Sequence, residues 1–317
     1  MGQAKIKLLQ NSTISTDTAF EEFISICKGK NLSPATIRNY NHQWIQFVKW
    51  FESDAVQHIS QDTISAYVKY LQNKEMKVES INTALRNIKS ILNYFYSQNY
   101  CQPVKISLLK TEVKIRDCYT FEELEIMLKK PSMKGISFPE FRTWAIVNFL
   151  VGTGCRARSL VNVRIQDLDF DNRLIKFTST KNRMHQILPL PDSLQQVLKQ
   201  YLKHRQGQPE DYLFPSESNS RLLESSVYHS IERYNHSRGI ERAGVHLFRH
   251  SFAKNWILSG GNVFMLQKQL GHRSLVMTQR YANIFDTDLQ GTGQFNLLER
   301  LKTDRERVTM NKPVRSR

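Results

Sequence analysis

Three stretches within residues 33–97 place apolar side chains at three- and four-residue spacing, which is typical of helices with one buried face. The first follows Ser33-Pro34, a serine suited to the N-cap with proline at the first helical position. The second begins at Ser60 and the third at Ser80, and a shorter helix is predicted around residues 20–27. The aromatic side chains on these stripes are interpreted as core. The pattern therefore predicts a compact bundle of four helices over residues 13–108.

Residues 99–117 break this pattern, with Pro103, scattered lysines and no sustained period. We interpret them as the linker and place the domain boundaries at residues 108 and 118. The sequence Thr120-x-x-Glu123 is a capping box, so a new helix and a second domain are expected to begin there.

The second domain mixes helical and strand patterns. Helices are predicted at 140–152 and 192–204, and strands at 165–170, 174–177 and 186–190 with a turn at Asp171-Asn172. After residue 224 the chain is helical again, including 246–259 and 263–270. Gly271 is expected to end one helix and Ser274 to cap the next, which carries Tyr281. The predicted fold class is mainly α, with a small β-sheet in the second domain.

Composition narrows the class of protein. The chain has 317 residues, 40% of them hydrophobic, and a net charge of +16 with a pI of about 9.7. The basic excess is spread over both domains, which suits a polyanion bound by both, because neutralised phosphates release counterions. A merely basic globular protein is an equal alternative on charge alone. Four dispersed cysteines and the lack of a signal peptide or a membrane-length apolar stretch predict a cytoplasmic protein without disulfides.

The candidate chemistry lies in motifs far apart in the sequence. Arg156 closes Thr153-Gly154-Cys155-Arg156, and His246, Arg249 and His250 are spaced to share one helix face. His272 follows Gly271, and Tyr281 comes nine residues later. A helical H-x-x-x-H could hold zinc, but the metalloprotease glutamate is missing and Arg249 would repel a cation. We therefore predict no metal and no cofactor.

Together these motifs resemble the tyrosine recombinase, or phage integrase, family that includes the Xer and Cre recombinases. The resemblance implies a two-domain, C-shaped DNA clamp. Its parts would be an N-terminal tail (1–12), a helical, SAM-like core-binding domain (13–108), a linker (109–117), a catalytic domain (118–286) and a C-terminal tail (287–317). It also implies a homotetramer on two synapsed sites of double-stranded DNA, with accessory proteins as further partners and the tail as a segment that docks on a neighbouring subunit.

The family's chemistry is metal-free cleavage and religation of DNA. Arg156 and Arg249 would hold the scissile phosphate, since guanidinium groups are permanently charged and bidentate. Tyr281 would attack to form a 3′-phosphotyrosyl intermediate, with His246 as the candidate for proton transfer. By resemblance, His272 would hydrogen-bond the phosphate or leaving oxygen. His250 is expected to orient the site.

The leaving 5′ oxygen also needs a proton donor, which the family supplies as a lysine on a β-hairpin. Lys181 fits this place, although Thr180-Lys181-Asn182-Arg183 departs from the family's glycine-lysine-glycine pattern. Lys176 and Arg183 are competitors, but a guanidinium is a poor acid. Ser159 stands where the family often has glutamate. This substitution leaves open how Arg156 is oriented, although not whether it binds the phosphate. Cys155 is expected to be a buried filler.

Several functions would use this set of residues. The preferred biological role is integration, excision or resolution for a mobile element, because the chain is longer than a minimal Xer protein. Xer-like resolution of chromosome or plasmid dimers is the alternative. A type IB topoisomerase has similar chemistry without site pairing, and an inactive DNA-binding regulator would keep only the fold.

Overall fold

The structure is a computed structural model that describes residues 14–111, 117–177, 186–272, 274, 275, 277 and 278. The predictions for the N-terminal tail, Lys181, Arg183, Tyr281 and the C-terminal tail lie outside these residues. The chain divides into two compact units, Met1–Lys114 and Ile115–Arg317, which we call unit 1 and unit 2.

The described part of unit 1 contains the helices α1 (Thr16–Gly29), α2 (Pro34–Phe51), α3 (Gln61–Asn73) and α4 (Val78–Ser97). Ser33 caps α2 by accepting a hydrogen bond from the Thr36 amide, and Ser60 caps α3 in the same way. The predicted start of α4 at Ser80 is wrong. The carbonyl of Lys77 accepts from the amides of both Ser80 and Ile81, so the helix begins two residues earlier.

The core of unit 1 is aromatic. Trp44, Phe47 and Phe95 are almost fully buried, and Trp44 contacts both phenylalanine rings with centroids 5.3–5.4 Å apart. Six basic side chains on and between these helices are all exposed: Arg38, Lys69, Lys74, Lys77, Arg86 and Lys89. Burial therefore assigns the aromatic stripes to packing and leaves the cations at the surface.

Residues 99–109, where the helical pattern stops, belong to unit 1 and pack against its helices. Ile106 is buried in the aromatic core. The Asn82 side chain donates to the Leu109 carbonyl and accepts from the Leu109 amide, at 2.9 and 2.8 Å. Gln61 makes the same pair of bonds to the backbone of Lys105. Side-chain amides thus replace the backbone pairing that an irregular segment lacks.

Unit 2 is organised around one buried helix. α5 (Phe121–Leu128) begins with the predicted capping box of Thr120 and Glu123, and α6 (Phe138–Thr153) follows. α6 is buried nearly all round because it packs against α5, α8 (Asp192–Arg205), α9 (Glu224–His236) and α10 (Val245–Leu258). This unit also contains the short helix α7 (Ala157–Leu160) and α11 (Val263–Leu270).

The sheet of unit 2 is antiparallel, in the order β1 (Leu168–Asp169), β2 (Leu174–Phe177) and β3 (Gln186–Pro189). Ile175 pairs with Leu188, and both face the core. The predicted strand over residues 165–170 is wrong for its first half. The chain forms a 3-10 turn over Ile165–Asp167, which is closed by a hydrogen bond from the Arg164 amide to the Asp167 carboxylate. Only two residues then remain for β1.

None of the helices in the described ranges combines the length and apolar character that crossing a lipid bilayer demands.

Candidate active site

Two glycines end the helices that frame the site. Gly154 follows α6 with φ +61°, and Gly271 follows α11 with φ +62°. This left-handed conformation favours glycine, which has no Cβ to clash with the following carbonyl. At Gly154 space adds a second reason, since a Cβ would lie 2.7 Å from a ring carbon of Phe252. Each glycine turns the chain so that motif residues follow the helix directly.

Arg249 joins the two turns. It lies on α10 and is 4% exposed. One terminal nitrogen donates to the Gly154 carbonyl at 2.9 Å, and the other donates to the Leu270 carbonyl at 2.7 Å and to Nε2 of His272 at 2.8 Å. These three bonds fix the orientation of the guanidinium, which is permanently charged. Such a group is suited to bind an anion.

Arg156 approaches the same helix end. It occupies the N-cap position of α7, two residues after Gly154, and is half-buried. Its Nη1 lies 3.5 Å from the Gly271 carbonyl, adjacent to the carbonyl that Arg249 contacts. Both guanidinium groups therefore converge on the C-terminal end of α11, where the helix dipole is negative and favours cations.

His272 is held from both sides of its ring. Nε2 contacts Arg249, and Nδ1 lies 2.8 Å from the Thr278 hydroxyl. A guanidinium can only donate hydrogen bonds, so Nε2 is the acceptor here and a neutral ring carries its proton on Nδ1. In this tautomer His272 cannot also donate from Nε2 to a phosphate. Binding an anion would therefore require the ring to change its proton or its partner.

His246 and His250 lie on the same helix as Arg249. Their rings are nearly parallel, with centroids 6.5 Å apart. His246 is exposed near the start of α10, while His250 is half-buried one turn later. The His246 ring is therefore the more exposed of the two.

The residues beside Arg156 fill space in the core. Ser159 is buried, and Cys155 is 6% exposed, as expected for a filler. Burial raises the pKa of the Cys155 thiol to about 11. The thiol therefore stays protonated near neutral pH and is a poor nucleophile.

The described residues include only part of the predicted site. Tyr281, Lys181 and its competitor Arg183 lie outside the described residues. Lys176 is exposed on β2. Within the described ranges, no three side chains of histidine, cysteine, aspartate or glutamate are grouped to hold a metal ion.

Sequence reasoning missed three polar residues at the site. Gln186 donates to the carbonyls of Lys268 and Gln269, at 2.8 and 2.7 Å. Gln267 donates to the His272 carbonyl at 3.1 Å, and Thr278 contacts the His272 ring. No motif marks them, and their only sequence signal is proximity to Lys181 or to His272.

Comparisons with known proteins find matches for both units of the chain. A model described as the phage integrase family matches residues 119–288, and one described as phage integrase, N-terminal SAM-like domain, matches residues 20–105. A tyrosine recombinase of Pseudothermotoga lettingae is 29% identical over 271 residues, which are 82% of this chain and 91% of that protein.

Solved structures share the fold. The XerH site-specific recombinase bound to its palindromic difH substrate, a post-cleavage complex, matches with a TM-score of 0.69 at 20% identity over 92% of both chains. A lambda integrase tetramer bound to a Holliday junction gives 0.69 at 15% identity, over 88% of this chain and 81% of that one. Because the integrase model covers more than half of the chain and includes both arginine motifs, the chain belongs to the phage integrase family of tyrosine recombinases, which are site-specific recombination enzymes.

Proposed function

We propose that this recombinase cuts and rejoins double-stranded DNA through a covalent 3′-phosphotyrosyl intermediate, without metal or cofactor. The observation that carries the proposal is the convergence of Arg156, Arg249 and His272 on the end of α11. Two guanidinium groups there can hold the non-bridging oxygens of one phosphate and stabilise the charge that develops during transfer.

In the proposed reaction the Tyr281 oxygen attacks the phosphorus and the bond from phosphorus to the 5′ oxygen breaks. The phenol has a pKa near 10 and gives up its proton during the attack, with His246 as the acceptor. Lys181 donates a proton to the departing 5′ oxygen, with Lys176 as its competitor. His250 orients the site from the same helix. Religation reverses these steps, so the energy of the broken bond is retained in the phosphotyrosine.

A nicked suicide duplex tests the chemistry, because loss of a short strand after cleavage traps the covalent adduct. The native protein is expected to form a protein–DNA adduct that resists denaturation, and Tyr281→Phe is expected to form none. Tyr228→Phe is a matched control, since Tyr228 is an exposed tyrosine on α9 of the same unit. Adduct formation by Tyr281→Phe would refute the assignment, and no adduct from the native protein would favour a DNA-binding regulator.

For assembly, we propose that residues 13–108 bind DNA as a core-binding domain and that residues 118–286 catalyse. Four copies would pair two sites, as the lambda integrase tetramer on a Holliday junction suggests. The tail 287–317 would dock on a neighbouring subunit. Deleting residues 290–317 is expected to abolish synapsis while single-site binding persists, and unchanged synapsis would contradict the tail's role.

The biological task we propose is integration, excision or resolution for a mobile element, with Xer-like dimer resolution as the alternative. The resemblance to XerH favours keeping that alternative. A plasmid assay with DNA cloned from beside the gene separates them. Movement of a DNA segment supports the mobile-element role, and conversion of plasmid dimers to monomers supports Xer-like resolution. Relaxed plasmid without recombinants supports a topoisomerase.

A further inference from the structure

Gln186 fastens the sheet of unit 2 to the end of α11. It is the first residue of β3 and is half-buried. Its Nε2 donates to the carbonyls of Lys268 and Gln269. Carbonyls in the last turn of a helix lack the amide four residues on that would pair with them in the helix interior. The Lys268 carbonyl accepts from the Gly271 amide at 3.1 Å, and Gln186 supplies a side-chain donor to this carbonyl and to that of Gln269.

The same turn orients both arginines. Four successive carbonyls, from Lys268 to Gly271, accept hydrogen bonds from Gln186, Arg249 and Arg156. The packing is close, since a Cβ at Gly271 would lie 3.0 Å from the Gln186 side-chain oxygen. The start of β3 and the proposed phosphate-binding arginines therefore bond to the same helix end.

The chain just before Gln186 carries the proposed proton donor. Lys181 precedes it by five residues, at most about 17 Å of fully extended chain. We propose that Gln186 is a positioning residue that couples this end of the hairpin to α11, and so holds the lysine near the leaving 5′ oxygen. The inference rests on the proposed function, in which Lys181 supplies the proton and Arg156 and Arg249 bind the phosphate.

A sulfur substitution in the DNA separates proton delivery from phosphate binding. Replacing the bridging 5′ oxygen with sulfur makes the leaving group a thiolate, whose conjugate acid has a pKa near 8.5 and which departs without a proton donor. Gln186→Ala in the full chain is expected to slow covalent capture of ordinary suicide DNA roughly 10- to 100-fold, because small displacements of a catalytic group are costly. On the sulfur-bridged duplex it is expected to react at close to the native rate.

The controls keep the outcomes distinct. Gln195→Ala removes a comparable bond, from Nε2 to the Phe170 carbonyl at 2.8 Å, in the same unit but away from α11, and should react normally on both duplexes. Lys181→Ala calibrates the assay. If sulfur fails to rescue Lys181→Ala, the role of that lysine in the proposed function is wrong. If it rescues Lys181→Ala but not Gln186→Ala, the coupling proposed for Gln186 is wrong.

Gln186→Glu provides a second test, the pH dependence of the reaction rate, which does not depend on whether the alanine variant folds. The carboxylate is isosteric but cannot donate to two carbonyls, whereas its protonated form carries one donor. Its rate on ordinary DNA, relative to the native protein, is therefore expected to rise as the pH falls. A native rate for both Gln186 variants on ordinary DNA would overturn the proposal.

Discussion

Substituting Gly154 with alanine should damage both stability and catalysis, because this glycine is constrained by conformation and by space. A left-handed residue with a Cβ costs about 1–2 kcal/mol. The new methyl would also lie 2.7 and 2.8 Å from two carbons of the Phe252 ring, so the ring or the turn must move. Overpacking of this kind adds about 1–3 kcal/mol. The expected total is therefore roughly 2–5 kcal/mol.

Gly239→Ala separates the conformational cost of a left-handed alanine from the cost of overpacking. Gly239 has φ +74° in the same unit, but a Cβ there would meet no atom within 4 Å. It should lose only the conformational part, about 1–2 kcal/mol. Since 1 kcal/mol shifts the melting temperature of a domain of this size by about 2–4 °C, the gap between the two variants should reach several degrees.

Differential scanning calorimetry of the full chain measures this gap, and the transition that moves should be that of unit 2. Activity should separate the variants further. The Gly154 carbonyl accepts from Arg249, so a shifted turn misplaces the guanidinium and slows adduct formation roughly 10- to 100-fold. Equal melting temperatures for Gly154→Ala and Gly239→Ala would show that the contact with Phe252 has no consequence and that this reasoning is wrong.

Three further substitutions test other parts of the fold. Asn82→Ala leaves the backbone amide and carbonyl of Leu109 without their side-chain partner, which should cost about 1–3 kcal/mol of stability and speed tryptic cleavage at Lys110. Asn87→Ala is the control, because it loses a bond within α4 and should leave the rate of that cleavage unchanged. Burial raises the pKa of the Cys155 thiol from 9.0 to about 11, so the folded state holds this proton to a higher pH than the unfolded state does. The thiol's contribution to the free energy of unfolding is therefore present below pH 9 and is lost as the pH rises toward 11. Cys155→Ala should make that loss of stability smaller, as measured by denaturant titrations across this pH range. Arg242→Lys removes a guanidinium that contacts both carboxylate oxygens of Glu123 at 2.8 Å. Because this ion pair is partly exposed, the free energy of unfolding measured with urea should fall by less than about 1 kcal/mol. A larger fall would mean that solvent does not screen the pair.

Local signals in the sequence were enough to predict several element boundaries. The caps at Ser33, Ser60 and Thr120 depend on side chains that bond to amides three residues away, so they can be recognised without the fold. The end of α11 at Gly271 is equally local. The start of α4 was misplaced because Ser80 looks like a cap, whereas the Lys77 carbonyl accepts the first amides without any side-chain cap.

Features that depend on distant residues could not be predicted in this way. Asn82 binds Leu109 across 27 positions, so the packing of residues 99–109 leaves no periodic pattern to detect. The contact of Arg249 with the Gly154 carbonyl spans 95 positions, and that of Gln186 with Gln269 spans 83. Residue type and spacing suggested the arginines, but only folding specifies what holds them.

The end of α11 explains why the motifs are so widely separated in the chain. The site needs two cations in close proximity, which repel each other unless something fixed offsets their charge. A helix C-terminus does so with backbone carbonyls, which cannot be lost by mutation of a side chain and which present acceptors in a fixed order. Arg156, Arg249 and Gln186 can then come from three elements of different origin and still reach one turn. Substitutions at these positions should therefore be non-additive, because each perturbs the support that the others share.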